Sequence, residues 1–342
     1  MQLDLGNLVP LPNVFITGPY GVGMGIAVCV DLGLLVISCT CRCTGKDVLR
    51  VFPLPYDIAG VGVGQLCELV CLFSLGGVAP MVFQFFDRIS GFLAFTDGYP
   101  TASRRFLLVT DCGHDAVHVI DLTEWKRHRQ TVADMHVGYV AAPGTISCPR
   151  GVATKASVVA VSCWKELRSC DHVVRLFEGS GPTWTAVRVI AGGFGYGGGA
   201  DGQLLRPSGL RFTGDGLGLV VADSGNHRLS MFRTGDGSFI RHEASGLINP
   251  VDVECEGKGA GWLTCTTGIL VEFVKDVAVP RSFILSNFRA VALVPGLLVV
   301  RHQTGVDFFA SPDAIAMSSM SLCKVAWMTA VCRAILKKNT LK

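Results

Sequence analysis

Short apolar runs recur along the chain, most of them closing on a small or polar residue. Residues 34–38, 107–111, 158–162 and 219–223 are four of these runs, 262–265 is a fainter fifth and 297–301 a sixth. Four or five consecutive residues rich in Val, Leu and Ile, bounded by turn residues, read as strands buried on both faces. Each run has companions. A short strand precedes it, often opened by glycine, at 25–28, 91–94, 151–153, 209–212, 250–253 and 289–292. A turn and an alternating strand follow the first five, at 48–52, 117–120, 173–177, 229–232 and 270–273. The recurrence predicts a repeat protein whose units are small antiparallel sheets.

Two units align residue by residue. Asp111 matches Asp223, Gly113 matches Gly225, and Val117 and Val119 match Leu229 and Met231. An aspartate at a strand end accepts hydrogen bonds from the following turn, and glycine tolerates positive φ inside it.

Composition agrees with this pattern. Among 342 residues, 49% are apolar, only 17% are charged and 41 are glycine, as expected for short buried strands joined by tight turns. The net charge of +3 does not by itself point to nucleic acid or an anionic membrane. The 14 cysteines show no zinc-type spacing, and most are expected to be buried small hydrophobes of a reduced, cytoplasmic protein. Residues 1–10 lack a basic region and include Asp4, unlike a signal peptide. The apolar stretches 21–38 and 313–336 carry Asp31 in the first and Lys324 and Arg333 in the second, so no membrane span is predicted.

Residues 192–241 resemble an NHL repeat. The resemblance rests on Gly202, Gln203, Leu204, Pro207, Gly209, Leu210, Asp215 and Gly216, followed by Val221, Ala222, Asp223, Ser224, Gly225, Asn226, His227 and Arg228. Residues 91–122 resemble the repeat less closely, with Ala116 opposite Arg228, and the other units match in strand pattern alone. The resemblance implies an all-β, six-bladed β-propeller spanning 12–311. Residues 13–17 are expected to supply the missing outer strand of the last blade. A C-terminal helical tail is expected over 312–342, where Pro312 and Asp313 precede spaced apolar residues.

The chemical motifs are sparse. The stretch 197–202 has the GxGxxG letters, but Pro207 and another strand follow where a phosphate-binding helix would have to begin, so a loop between blades is expected. Residues 18–25 lack the lysine and hydroxyl of a P-loop. No serine stands in a GxSxG elbow. His114 and His227 fall in comparable turns, with His118 nearby on a strand, and the two turn residues read as solvated histidines, not metal ligands. Asp97, Asp111, Asp223 and Asp252 do not assemble into a calcium centre by sequence position. The basic run 126–129 reads as a solvated loop.

In a four-stranded up-and-down blade, the second-to-third strand turn and the link to the next blade emerge on one face. That face gathers Trp164, Lys165 and Arg168 from an insertion, together with Arg206, Asn226 and His227. Tryptophan and arginine are enriched at interface hot spots. The sequence therefore predicts a non-catalytic platform for a protein partner, with no cofactor. The resemblance leaves two alternatives: a metal-dependent propeller lyase or hydrolase, and an RNA-binding propeller.

Overall fold

The computed structural model describes residues 9–11, 14–16, 25–40, 47–54, 67–69, 73–75, 93–96, 105–123, 135–164, 172–180, 183–193, 197–255, 261–265, 270–274, 277–281, 288–294, 296–302 and 305–312. Among these residues the strands form six four-stranded antiparallel sets. The first contains Ile26–Cys29, Leu34–Thr40, Asp47–Pro53 and Phe73–Leu75, and the second Leu93–Phe95, Phe106–Asp111, Ala116–Asp121 and His136–Ala141. The third contains Pro149–Lys155, Val158–Cys163, His172–Ser180 and Thr183–Gly193. Pro207–Phe212, Gly218–Asp223, Arg228–Arg233 and Phe239–Ser245 form the fourth. Asp252–Cys255, Gly261–Cys265, Leu270–Val274 and Val277–Arg281 form the fifth. The sixth joins Phe288–Val294, Leu297–His302 and Val306–Ala310 to Val9–Pro10. A single parallel pair, Tyr139 with Thr183, merges the second and third sets into one eight-stranded sheet.

The packing explains why the second strands are continuously apolar. Leu35 and Ile37 pack with Ala290, Val299 and Phe308 of the sixth set. Their neighbours Leu34 and Val36 point the other way, onto Leu107 and Val109 of the second set. Alternation continues around the molecule: Phe106 and Leu108 meet Val159 and Val161, Ala160 meets Leu219 and Val221, and Val220 and Ala222 meet Val253. Side chains on the two faces of one strand thus enter two different inter-set cores, so neither face can be polar. Each fully buried Val or Leu contributes about 1.5–3 kcal/mol.

The first strands touch in succession: Ile26–Cys29 against Leu93–Phe95, then Pro149–Lys155, Pro207–Phe212, Asp252–Cys255, Phe288–Val294 and back to Ile26–Cys29. Four-stranded sheets arranged radially around such a ring define a β-propeller.

One detail differs from expectation. The outer strand of the last set is Val9–Pro10, paired with Ala310 and Phe309, and the Leu11 amide donates to the Phe308 carbonyl at 2.8 Å. Residues 13–17 do not fill that place; Val14–Ile16 pairs in parallel with Cys67–Leu69. An edge strand tolerates a proline that lacks an N–H, which is why residues 9–10 can serve there. The cysteine expectation also needs correction. Cys29, Cys39 and Cys163 are buried thiols outside any disulfide, as expected, but Cys112 and Cys148 are joined in a disulfide. The two lie 36 positions apart and meet through the fold, which spacing alone does not reveal.

No helix among the described residues is long and apolar enough to cross a membrane. The tail expected to be helical lies, from residue 313 onward, outside the described residues.

Candidate functional site

In the second and fourth sets, the turn between second and third strands meets a link that leads from one set to the next. In the fourth set, Ser224–Asn226 makes one 3₁₀ turn and His227 takes a left-handed φ of 57°. Asp223 is fully buried at the head of this turn. Its Oδ1 accepts the Leu205 backbone amide at 2.7 Å, and its Oδ2 accepts the Asn226 side-chain Nδ2 and the Arg228 Nε, both at 2.8 Å. Burial pushes the Asp223 carboxyl upward; the hydrogen bonds and the guanidinium oppose that shift.

Arg228 does more than neutralise Asp223. Its remaining donors reach the carbonyls of Gly199, Ala200 and Gln203 at 2.9–3.1 Å. Asn226 adds a bond to the Gly198 carbonyl at 2.8 Å. The glycine loop 197–202 is therefore fastened to the turn through its carbonyls. Its Gly198 and Ala200 amides are taken by the Leu204 carbonyl and the Gln203 side chain. These contacts give the loop a structural task, consistent with the absence of any helix after it.

Beside this turn lies an aromatic–guanidinium group. The Trp164 ring stands parallel to His172, with centroids 6.3 Å apart and 10° between planes. Arg150 Cζ lies 4.6 Å and Arg206 Cζ 5.5 Å from the Trp164 ring, within cation–π range. Backbone bonds place them: the Trp164 amide donates to the Cys148 carbonyl, and the Arg206 amide to His172 Nδ1 at 2.9 Å. Arg206 and His227 are exposed, whereas Trp164, Arg150 and Asn226 are half-buried. His227 Nδ1 accepts the Asn249 amide at 3.2 Å.

Of the residues expected to bind, the structure thus places Trp164 with Arg206, and Asn226 with His227, on two adjoining turns and links. Asn226 is committed to the glycine loop, while Lys165 and Arg168 lie outside the described residues, as does the basic run 126–129. Arg150 was not anticipated; its position just before Gly151, at the start of a first strand, was the available signal.

The second set carries a different arrangement at the same place. Asp111 is fully buried, and its Oδ1 accepts the amides of Gly113 and His114 at 3.1 and 3.3 Å. Where Arg228 stands in the fourth set, Ala116 stands here, and two histidines approach the carboxylate instead. His114 Nδ1 is 2.9 Å and His118 Nε2 3.4 Å from Asp111 Oδ2. Behind them, His118 Nδ1 lies 3.4 Å from His136 Nε2. Burial, together with the neighbouring His118, lowers His136 to about 4, which keeps it neutral at pH 7. The turn residue Asp115 accepts the Cys148 amide at 2.7 Å, next to the Cys112–Cys148 disulfide.

At the other end of the strands, a cavity of about 200 Å³ is lined by residues such as Phe95, Lys155, Arg211, Thr213 and Cys255. Asp252, at the start of its own strand, accepts the Val291 amide through Oδ2 at 3.0 Å, bridging two inner strands. Asp111, Asp223 and Asp252 thus each have separate local partners.

Residues 204–232 match the NHL repeat family. This stretch is one repeat within the ring of four-stranded sheets that makes the chain a β-propeller. One similar solved structure is a crystal structure of a nidogen/laminin complex, at 15% identity and a TM-score of 0.48, covering 77% of this chain and 80% of that one. No curated protein matches the sequence.

Proposed function

We propose that this propeller, read as a closed ring of six blades, is a non-catalytic platform that binds a protein partner on the face carrying Trp164 and Arg206. One observation carries the reading: a half-buried tryptophan with two arginine guanidiniums over its ring at 4.6 and 5.5 Å and a histidine parallel to it. Such a group offers aromatic rings together with guanidiniums that donate hydrogen bonds and carry positive charge. It suits a segment bearing an aromatic or carboxylate side chain. The ring is a rigid support, since its second strands are locked between two cores, and a preorganised surface loses little entropy on binding.

The grouped histidines come from one blade's turn region and its neighbouring strands, not from several blades around the axis. That arrangement favours the platform over a channel-centred lyase or hydrolase.

Quantitative affinity capture with the full chain tests the proposal, comparing wild type with Trp164→Ala and Arg206→Glu. A defined protein set retained by wild type and lost from both variants supports it. Equal retention by all three forms rejects it.

A further inference from the structure

We propose that Asp111, His114 and His118 form a binding site for one divalent cation of the zinc class, on the same face as the Trp164 group. Each residue offers one ligand atom, and these atoms all lie within 4.8 Å of one another. Asp111 Oδ2 is 2.9 Å from His114 Nδ1 and 3.4 Å from His118 Nε2. Tetrahedral zinc with bonds near 2.0–2.1 Å separates its ligands by roughly 3.3 Å, so modest side-chain adjustment around one ion accommodates the set. Two imidazoles with one carboxylate suit zinc, and cobalt as its spectroscopic substitute, rather than calcium or magnesium.

The surroundings also fit. A ligating imidazole usually donates its other N–H to a fixed acceptor, and His118 Nδ1 faces His136 Nε2 at 3.4 Å. With His118 bonded to the ion through Nε2, its Nδ1 carries the proton and His136 accepts it. The carboxylate is anchored through Oδ1 by the Gly113 and His114 amides, which leaves Oδ2 turned toward the histidines. The Cys112–Cys148 bridge and the Asp115–Cys148 hydrogen bond fix the turn between them, so the ligands are preorganised. His114 is 39% exposed along its side chain, so water or a partner's side chain has access to complete the coordination.

A comparison within the chain separates this site from a plain structural role. In the fourth blade the matching aspartate receives the Arg228 guanidinium, and Ser230 stands at the position of His118. A fixed positive charge there excludes a cation. In the second blade Ala116 removes that charge and leaves two imidazoles facing the same carboxylate.

Calorimetric zinc titration of the chelator-treated, non-reduced full chain tests the site, with cobalt(II) absorption as a second measurement. The expected result is one zinc per chain, with affinity falling at least about 10-fold in His114→Ala, whose exposed side chain permits folding, and in His118→Asn. The cobalt form is expected to show four-coordinate visible bands without a thiolate charge-transfer band. No zinc uptake, unchanged affinity in His114→Ala, or a thiolate band would overturn the proposal.

Discussion

Arg228 donates to the Asp223 carboxylate at 2.8 Å while its other nitrogens hold three carbonyls of the preceding loop. One side chain thus ties a strand end, a turn and an inter-blade link together. Removing it leaves a fully buried carboxylate without its cation and takes the guanidinium donors from three carbonyls, of which that of Ala200 keeps the Gln203 amide. Arg228→Ala is expected to cost about 3–5 kcal/mol in urea-induced unfolding, as for other broken buried pairs. A loss under about 1 kcal/mol, typical of exposed pairs, would contradict this description.

Gly209 sits where two inner strands come closest. A Cβ at this position would meet the Asp252 side chain and backbone and the Val251 carbonyl, and Gly209 also donates its amide to that carbonyl. Gly151 occupies the matching place one blade earlier, against the Ser208 carbonyl. Gly209→Ala is expected to destabilise the chain by about 1–3 kcal/mol, since the clash is with backbone that cannot move independently. Thermal melts of Gly209→Ala beside Gly235→Ala, where a Cβ meets nothing within 4 Å, provide the check.

The Cys112–Cys148 bridge closes a loop of 36 positions. In the chain-entropy view, replacing both cysteines by serine lowers stability by about 2–4 kcal/mol under non-reducing conditions. Peptide mapping without reductant is expected to recover the two cysteines in one linked peptide pair. Recovery of both as free thiols would contradict the bridge.

Burial and the nearby Glu254 push the Asp252 carboxyl from 3.8 up to about 8. Across that window the folded chain retains a proton that the unfolded chain has released. Stability therefore falls as pH rises from about 4 toward about 8. Asp252→Asn keeps a carbonyl oxygen for the Val291 amide but cannot ionise. Its melting temperature is expected to exceed that of wild type at pH 8.5, with the gap closing toward pH 4. Melting curves that stay parallel across this range would contradict the assignment.

Much of the fold is legible in the pattern of apolar runs, because a strand wedged between two blades has no polar face and announces itself in four or five consecutive residues. The second strands at Phe106–Asp111, Val158–Cys163 and Gly218–Asp223 fall within a residue or so of the runs. The closing strand is not legible because Val9 and Pro10 are exposed edge residues with no periodicity, whereas residues 13–17 look strand-like and Val14–Ile16 among them pairs elsewhere. The site was harder to read. Trp164 and Arg206 stood out as residue types, but Arg150 reaches Trp164 only because Pro149–Lys155 returns to the same end as Val158–Cys163. The convergence of His118 with His114 on Asp111 depends on strand register, with Ala116 opposite Asp111 and His118 two residues further along. Linear spacing carries that register only once the turn is known.

The interaction face is the central claim, and one binding measurement tests it most directly. A partner identified by capture is titrated calorimetrically against wild type, Trp164→Ala and, as a control from the opposite end of the strands, Lys155→Glu. Loss of about 2 kcal/mol or more in Trp164→Ala, roughly 30-fold in Kd, with Lys155→Glu unchanged, is the predicted result. Unchanged affinity in Trp164→Ala, or a loss confined to Lys155→Glu, would contradict it.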